Sequence, residues 1–253
     1  MTRAADAFED PDVVAARAAA LPRPLLVGLD VDGVLAPIVA HADDAELLPG
    51  MLAAVSELAG RATVAVVSGR TVDDLERFGF PDHVEVFGLH GMERGGERTI
   101  ELAEDERHRL ERLKAMATEA ADRAGRGAWV EVKPASVVLH VREASPEHGA
   151  RSADDLRERA ADITGAHVLP GKGVVELLTR ATSKALAIEE LRTELDARGV
   201  VFVGDDRTDE EVFTMLDGTG CSIRVGPGPT AATHRLAGPP EVLRFLRALD
   251  RLL

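Results

Sequence analysis

The chain has 253 residues, 45% hydrophobic and 29% charged, which is enough for one large domain or two modest ones with a real core. Its formal charge of −14 argues against nucleic acid and against an anionic membrane surface as partners, and 3% aromatics leaves little with which to stack bases. The one cysteine, Cys221, excludes an intrachain disulfide framework and a cysteine-based zinc site, and reads as a small buried apolar residue.

In chain order, Met1 to Arg23 carries Asp6, Glu9, Asp10 and Asp12 among alanines, unlike a signal peptide, with an Ala-rich helix expected over about Pro11 to Leu21. No apolar run approaches the ~20 residues of a membrane span, so the expected location is the cytoplasm. Leu25 to Leu29 is an apolar run that stops at Asp30, the mark of a strand buried on both faces of a parallel sheet. Similar runs are Thr63 to Val67 before Ser68-Gly69-Arg70, and Val84 to Phe87 before Gly88-Leu89-His90-Gly91. Two more are Val200 to Val203 before Gly204-Asp205-Asp206, and Ser222 to Val225. Helical patterns at Leu47 to Leu58 and Lys184 to Leu195 lie between them, so the expected core is an α/β fold with βαβ units around a parallel sheet.

The middle of the chain has another rhythm. Glu104 to Ala124 reads as a charged helix, then Trp129 to Lys133 and Ser136 to Arg142 as strands. A helix from Ala153 to Ile163 follows, then strands at His167 to Leu169 and Val174 to Leu178. Helix, two strands, helix, two strands describes a small α+β domain at 95–179, inserted into a core of 1–94 and 180–253.

Asp30-Val31-Asp32-Gly33 closes the first strand. Side chains two apart on extended backbone point the same way, so both carboxylates leave the C-terminal edge of the sheet, where open α/β sheets bind ligands. Such a pair needs a cation between its members or a proton on one of them. One could then attack phosphorus while the other, kept protonated, serves the leaving group. By itself the motif also fits two surface aspartates at a strand end. Ser68 can donate to a phosphate oxygen or cap a helix from Thr71 onward. Thr208, Asp209 and Glu210 can cap a helix; Asp205 and Asp206 precede any cap, and Asp205 is expected at a metal. Lys184 opens a helix, where a cation opposes the helix dipole and so needs another purpose, either on a carboxylate and a phosphoryl group or simply in solvent.

These four pieces, in this order, resemble the haloacid dehalogenase superfamily of phosphotransferases. The resemblance implies a Rossmann-like parallel-sheet core of that type with an inserted α+β cap domain of the C2 class. It makes Asp30 the nucleophile, Asp32 the general acid/base, and Ser68 and Lys184 phosphate-binding groups. It puts Mg2+ on Asp30, the Asp32 carbonyl and Asp205. Further motifs are similar to trehalose-6-phosphate phosphatases over about residues 25 to 226. They are Ser68-Gly69-Arg70, Gly88-Leu89-His90-Gly91, Glu131-Val132-Lys133, Ser136 with His140-Val141-Arg142, Gly171-Lys172 with Glu176, and Gly204 to Glu210. That resemblance implies a substrate of trehalose 6-phosphate, held by Gly69, Arg70, Glu131, Lys133, Arg142, Lys172 and Glu176, with His90 in a positioning role at the domain hinge. Each cap charge also fits half of a surface ion pair. Val34 stands where the family usually carries Thr, Ala185 where it carries Gly, and Val132 where Asp is common. The alternatives are another sugar-phosphate phosphatase, a phosphomutase, or a non-catalytic domain that binds sugar phosphate or a synthase. Oligomeric state is left open.

Overall fold

The run Leu25–Leu29 forms strand β1, and all five of its residues are buried. It belongs to a computed structural model that describes residues 7–39, 42–96, 100–171 and 173–253. The chain divides into two compact units, Met1–Glu97 with Ser183–Leu253, and Arg98–Thr182.

In the first unit α1 (Pro11–Ala19) precedes β1, followed by α2 (Met51–Ala59), β2 (Thr63–Val67), α3 (Val72–Glu76), β3 (Glu85–Gly88) and β4 (Glu93–Arg94). The second unit holds α4 (Glu104–Ala124), β5 (Trp129–Val132), β6 (Ser136–His140), α5 (Pro146–Ala161), β7 (His167–Gly171) and β8 (Val174–Leu178). The chain then returns through α6 (Lys184–Glu194), β9 (Gly199–Gly204), α7 (Glu210–Met215), β10 (Cys221–Val225), β11 (His234–Leu236) and α8 (Pro239–Leu252).

Among the described residues, seven strands of the first unit make one sheet in the order β11-β10-β9-β1-β2-β3-β4. All neighbours are parallel except β3 and β4. The α/β class expected from alternating strands and helices is the one found. Burial on both faces explains the unbroken apolar runs. Leu25, Val27 and Leu29 pack with Val14 of α1, Val55 of α2 and Phe245 of α8. Leu26 points the other way, with Ile188 of α6 and Phe213 of α7. Because β1 is central and parallel to β2 and β9, Asp30, Ser68 and Asp205 all leave one edge of the sheet.

The second unit is an antiparallel sheet ordered β5-β6-β8-β7 with α4 and α5 on one face. Val137, Leu139, Val175 and Leu177 face Leu113 and Ala117 of α4 and Leu156 of α5. Strand alternation therefore turns Trp129, Glu131, Ser136, Val138, His140 and Glu176 to the face opposite α4 and α5.

Several boundaries move. Helix α2 starts at Met51 rather than Leu47, because Gly50 in front of it sits at φ 86°. Helix α5 starts at Pro146 rather than Ala153, with proline at its first position, where the missing N–H costs nothing. Strands β4 and β11 and helix α8 lie outside the elements read from the sequence. Cys221 is buried, and burial raises its thiol to about 12. Among the described residues no helix is long and apolar enough to cross a membrane.

Candidate active site

Asp30 is the first residue past β1 and is 5% exposed. Its N–H continues the ladder to the Val203 carbonyl at 3.0 Å, and its Oδ1 accepts the Val31 N–H at 2.7 Å. Its Oδ2 lies 2.8 Å from Nζ of Lys184. Lys184 opens α6 behind the N-cap Ser183, whose hydroxyl accepts the Leu186 N–H at 3.2 Å. The ammonium is buried and also donates to Oδ1 of Asp209 at 2.8 Å. Burial disfavours its charge, yet Asp209 and Asp30 together raise Lys184 above its ordinary value. This is the purpose that the helix-opening lysine lacked: it is a fixed counter-charge between two buried carboxylates.

Asp209 is the residue that sequence reasoning missed. In place of a cap on α7, its carboxylate turns back, and Oδ2 accepts the N–H groups of Asp205 at 2.8 Å and Asp206 at 2.9 Å. It thereby shapes the loop that carries Asp205. Oxygens of Asp30, Asp205 and Asp209 lie within 4.8 Å of one another. Burial raises Asp30 well above the carboxylate range, Lys184 opposes the rise, and Asp209 and Asp205 add to it. Burial, then Asp209, raises Asp205 to about 7. Three carboxylates around one ammonium are an anionic pocket of hard oxygen donors, and that donor set fits Mg2+. Gly33 stands at φ 79°, and a side chain there would run into the Asp205 carboxylate, so this turn needs glycine twice over.

The raised carboxyl predicts a pH-dependent response to metal. The folded, metal-free chain holds the Asp205 proton up to about pH 7, whereas the unfolded chain releases it near 3.8, so stability from this group falls as pH rises between those values. Adding Mg2+ to chelator-treated protein should therefore raise Tm, and by more at about pH 8 than at about pH 5. Thermal melts at both values check this; a larger increment at the lower pH contradicts it.

Ser68 follows β2 and is 1% exposed. It does not cap α3: that cap is Thr71, whose hydroxyl accepts the Asp74 N–H at 3.1 Å. The Ser68 N–H bonds the Phe87 carbonyl at 2.9 Å, its carbonyl accepts the His90 N–H at 2.8 Å, and its Oγ accepts the Arg70 N–H at 3.3 Å. The loops after β2 and β3 are thus tied together. His90, at φ 58°, holds an uncommon left-handed conformation for a non-glycine residue. Its ring packs so closely on Gly69 that a Cβ there would sit 2.7 Å from Cε1. His90 is thereby a buried packing element for the Ser68 loop, and the cluster of carboxylates that could hold a metal does not include it.

Arg70 forks onto Asp32, with Nε 2.8 Å from Oδ2 and Nη2 2.7 Å from Oδ1. The two parallel bonds, one to each oxygen, hold the Asp32 carboxylate in a bidentate pair with Arg70.

In the second unit, Lys133 and Ser136 converge on Oε1 of Glu176, at 3.2 and 2.7 Å. Glu131 bonds Nε2 of His140 at 2.9 Å, and that bond holds Glu131 below the ordinary carboxylate range against its burial. Arg142 is exposed, beside Gly173. Lys172 lies outside the described residues.

A sequence profile of the trehalose-phosphatase family matches residues 28–239. Trehalose-6-phosphate phosphatase of Escherichia coli (strain K12) is 32% identical over 234 residues, which cover 88% of this chain and 86% of that protein. An uncharacterized glycosyl hydrolase of Mycobacterium tuberculosis (strain ATCC 25618 / H37Rv) is 32% identical over 249 residues, 88% of this chain but 18% of that protein's length. The solved C-terminal domain of Candida albicans trehalose-6-phosphate phosphatase has the same fold, with a TM-score of 0.85 over 100% of both chains at 20% identity. With a profile that spans most of its length and a relative matched over most of both sequences, the chain belongs to the trehalose-phosphatase family, a family of phosphoric monoester hydrolases.

Proposed function

We propose that this chain hydrolyses trehalose 6-phosphate to trehalose and phosphate through an aspartyl-phosphate intermediate on Asp30, with Mg2+ as cofactor. The observation that carries the reading is the buried Asp30 carboxylate, oriented by Lys184 beside two further carboxylates, in a chain of this family. The Asp30 carboxylate attacks phosphorus as the bond from phosphorus to the sugar oxygen breaks, and the departing alkoxide takes a proton from Asp32. Water then attacks the same phosphorus, gives a proton back to Asp32, and releases Asp30 and inorganic phosphate. Lys184 fixes the orientation of Asp30 throughout, and Ser68, Gly69 and Arg70 bind the phosphoryl end. Asp30, Asp205 and the Asp32 carbonyl are the proposed Mg2+ ligands, with Asp209 in the same cluster, and the ion would supply positive charge to the phosphoryl oxygens. His90 positions the Ser68 loop.

The unit Arg98–Thr182 is proposed as the cap that reads the sugar through Glu131, Lys133, Arg142, Lys172 and Glu176. Support for this comes from charges that are already hydrogen-bonded on the sheet face opposite α4 and α5, since carboxylates and ammonium groups make charge-assisted bonds to hydroxyls. Lys133→Ala should lower kcat/KM for trehalose 6-phosphate by about tenfold or more, and that for a small aryl phosphate by much less. Steady-state kinetics on both esters test it; equal losses would move Lys133 into the chemistry or into folding.

A further inference from the structure

The face of the second sheet opposite α4 and α5 carries an aromatic group that the proposed sugar contacts leave unused. Trp129 is the chain's only tryptophan, in a sequence with 3% aromatics. The residue is 48% exposed. Phe202 and Phe213 of the first unit are fully buried, whereas Phe8 is exposed as Trp129 is. A lone exposed apolar residue is ordinary in itself. Trp129 differs because it is held in place. Its ring stacks on His140 at 3.7 Å between centroids and 1° between planes, and Nε2 of that histidine is bonded to Glu131 at 2.9 Å. A surface tryptophan with one face covered by a fixed imidazole keeps the other face flat and available.

What that face fits follows from its neighbours. Residues two apart along an extended strand share a side, which sets Glu131 beside the indole, and Lys133, the first residue past the strand, bonds Glu176 at 3.2 Å. Glu176 lies on the same side, two strands over. A pyranose ring has matching chemistry: a patch of C–H bonds that gains by leaving water against an aromatic face, rimmed by hydroxyls that need charged or polar partners. Two carboxylates beside the plate favour an uncharged ring over a phosphodiester or a nucleotide.

We propose that Trp129 is a sugar-contacting residue whose open indole face receives a pyranose ring of the glycosyl group, beside Glu131, Lys133 and Glu176. This rests on the proposed function in that it takes a glycosyl phosphate as substrate. The indole sets which sugars are accepted, since a phosphate ester without a second apolar ring face cannot use it.

Because there is one tryptophan, its emission reports this place alone. Titration of the wild-type chain with trehalose, which carries no phosphate and undergoes no turnover, should shift or quench the emission saturably, whereas mannitol at equal concentration should not. In Trp129→Ala the KM for trehalose 6-phosphate should rise about three- to tenfold, with a smaller change in kcat. Trp129→Phe, which keeps a ring over His140, should recover most of the loss. Emission indifferent to trehalose together with an unchanged KM in Trp129→Ala overturns the proposal. If the wild type instead turns over another sugar phosphate, the trehalose assignment fails separately. A KM shift of the same size on that substrate then supports the platform, and its absence overturns it. Should Trp129→Ala fold poorly, the wild-type titration and the Phe variant decide.

Discussion

Asp30→Asn is expected to lower kcat on trehalose 6-phosphate by about 10⁴-fold or more while the chain stays folded. The amide keeps one oxygen, which can accept from the Val31 N–H, now bonded at 2.7 Å, while Lys184 retains its 2.8 Å bond to Asp209. It removes the charge and the nucleophilic oxygen, and it relieves a cluster in which burial already pushes the Asp30 carboxyl up. Metal-free Tm should therefore change by only a few degrees in about the neutral range, and the Mg2+ increment in Tm should shrink, because one of three carboxylates near the ion is gone. Kinetics, circular dichroism and melts with and without Mg2+ check these together. A well-folded variant that keeps more than about 1% of wild-type turnover contradicts the nucleophile assignment.

Lys184→Ala should cost both activity and stability. Its ammonium is the shared partner of Asp30 and Asp209, at 2.8 Å from each, and is 2% exposed. Removing one member of a buried ion cluster leaves uncompensated charge, worth about 3–5 kcal/mol. In a chain of this length that lowers Tm by about 10 °C. Turnover should fall by about 10²- to 10³-fold from the loss of a preorganised cation beside the attacking carboxylate. Lys184→Met keeps most of the volume without the charge and so separates electrostatics from packing; it should lose almost as much Tm as the alanine variant. Mg2+ should restore part of the stability of either variant but little of the rate. Wild-type Tm in both variants would refute the shared-partner account.

Legibility in the sequence followed physical pattern. Asp30, Ser68 and Asp205 stand where a buried apolar run turns polar, and in a parallel sheet such a switch can fall only at an edge. Helix Glu104–Ala124 and strand Val174–Leu178 have the boundaries expected of them. Asp209 was not legible, since an acidic residue opening a helix reads as a cap, and its true partners are defined only once the loop folds back. The fork from Arg70 to Asp32 joins side chains 38 positions apart, and a pairing of two loops has no periodic trace. Strands β4 and β11, of two and three residues, are too short to show alternation. Helix α8 does show it, with Val242, Phe245, Leu246 and Leu249 along one buried stripe, but it lies past the last strand with a long apolar run. Period-two alternation brings Trp129 and Glu131 to one face of their strand, but the stack on His140 needed coordinates.

The most direct test of the central claim is phosphate release from a panel of sugar phosphates, each with Mg2+ and with chelator. Release from trehalose 6-phosphate far above the other sugars, abolished by chelator and restored by Mg2+, is the expected result. Release from other sugar phosphates with none from trehalose 6-phosphate would contradict it, as would full activity in chelator.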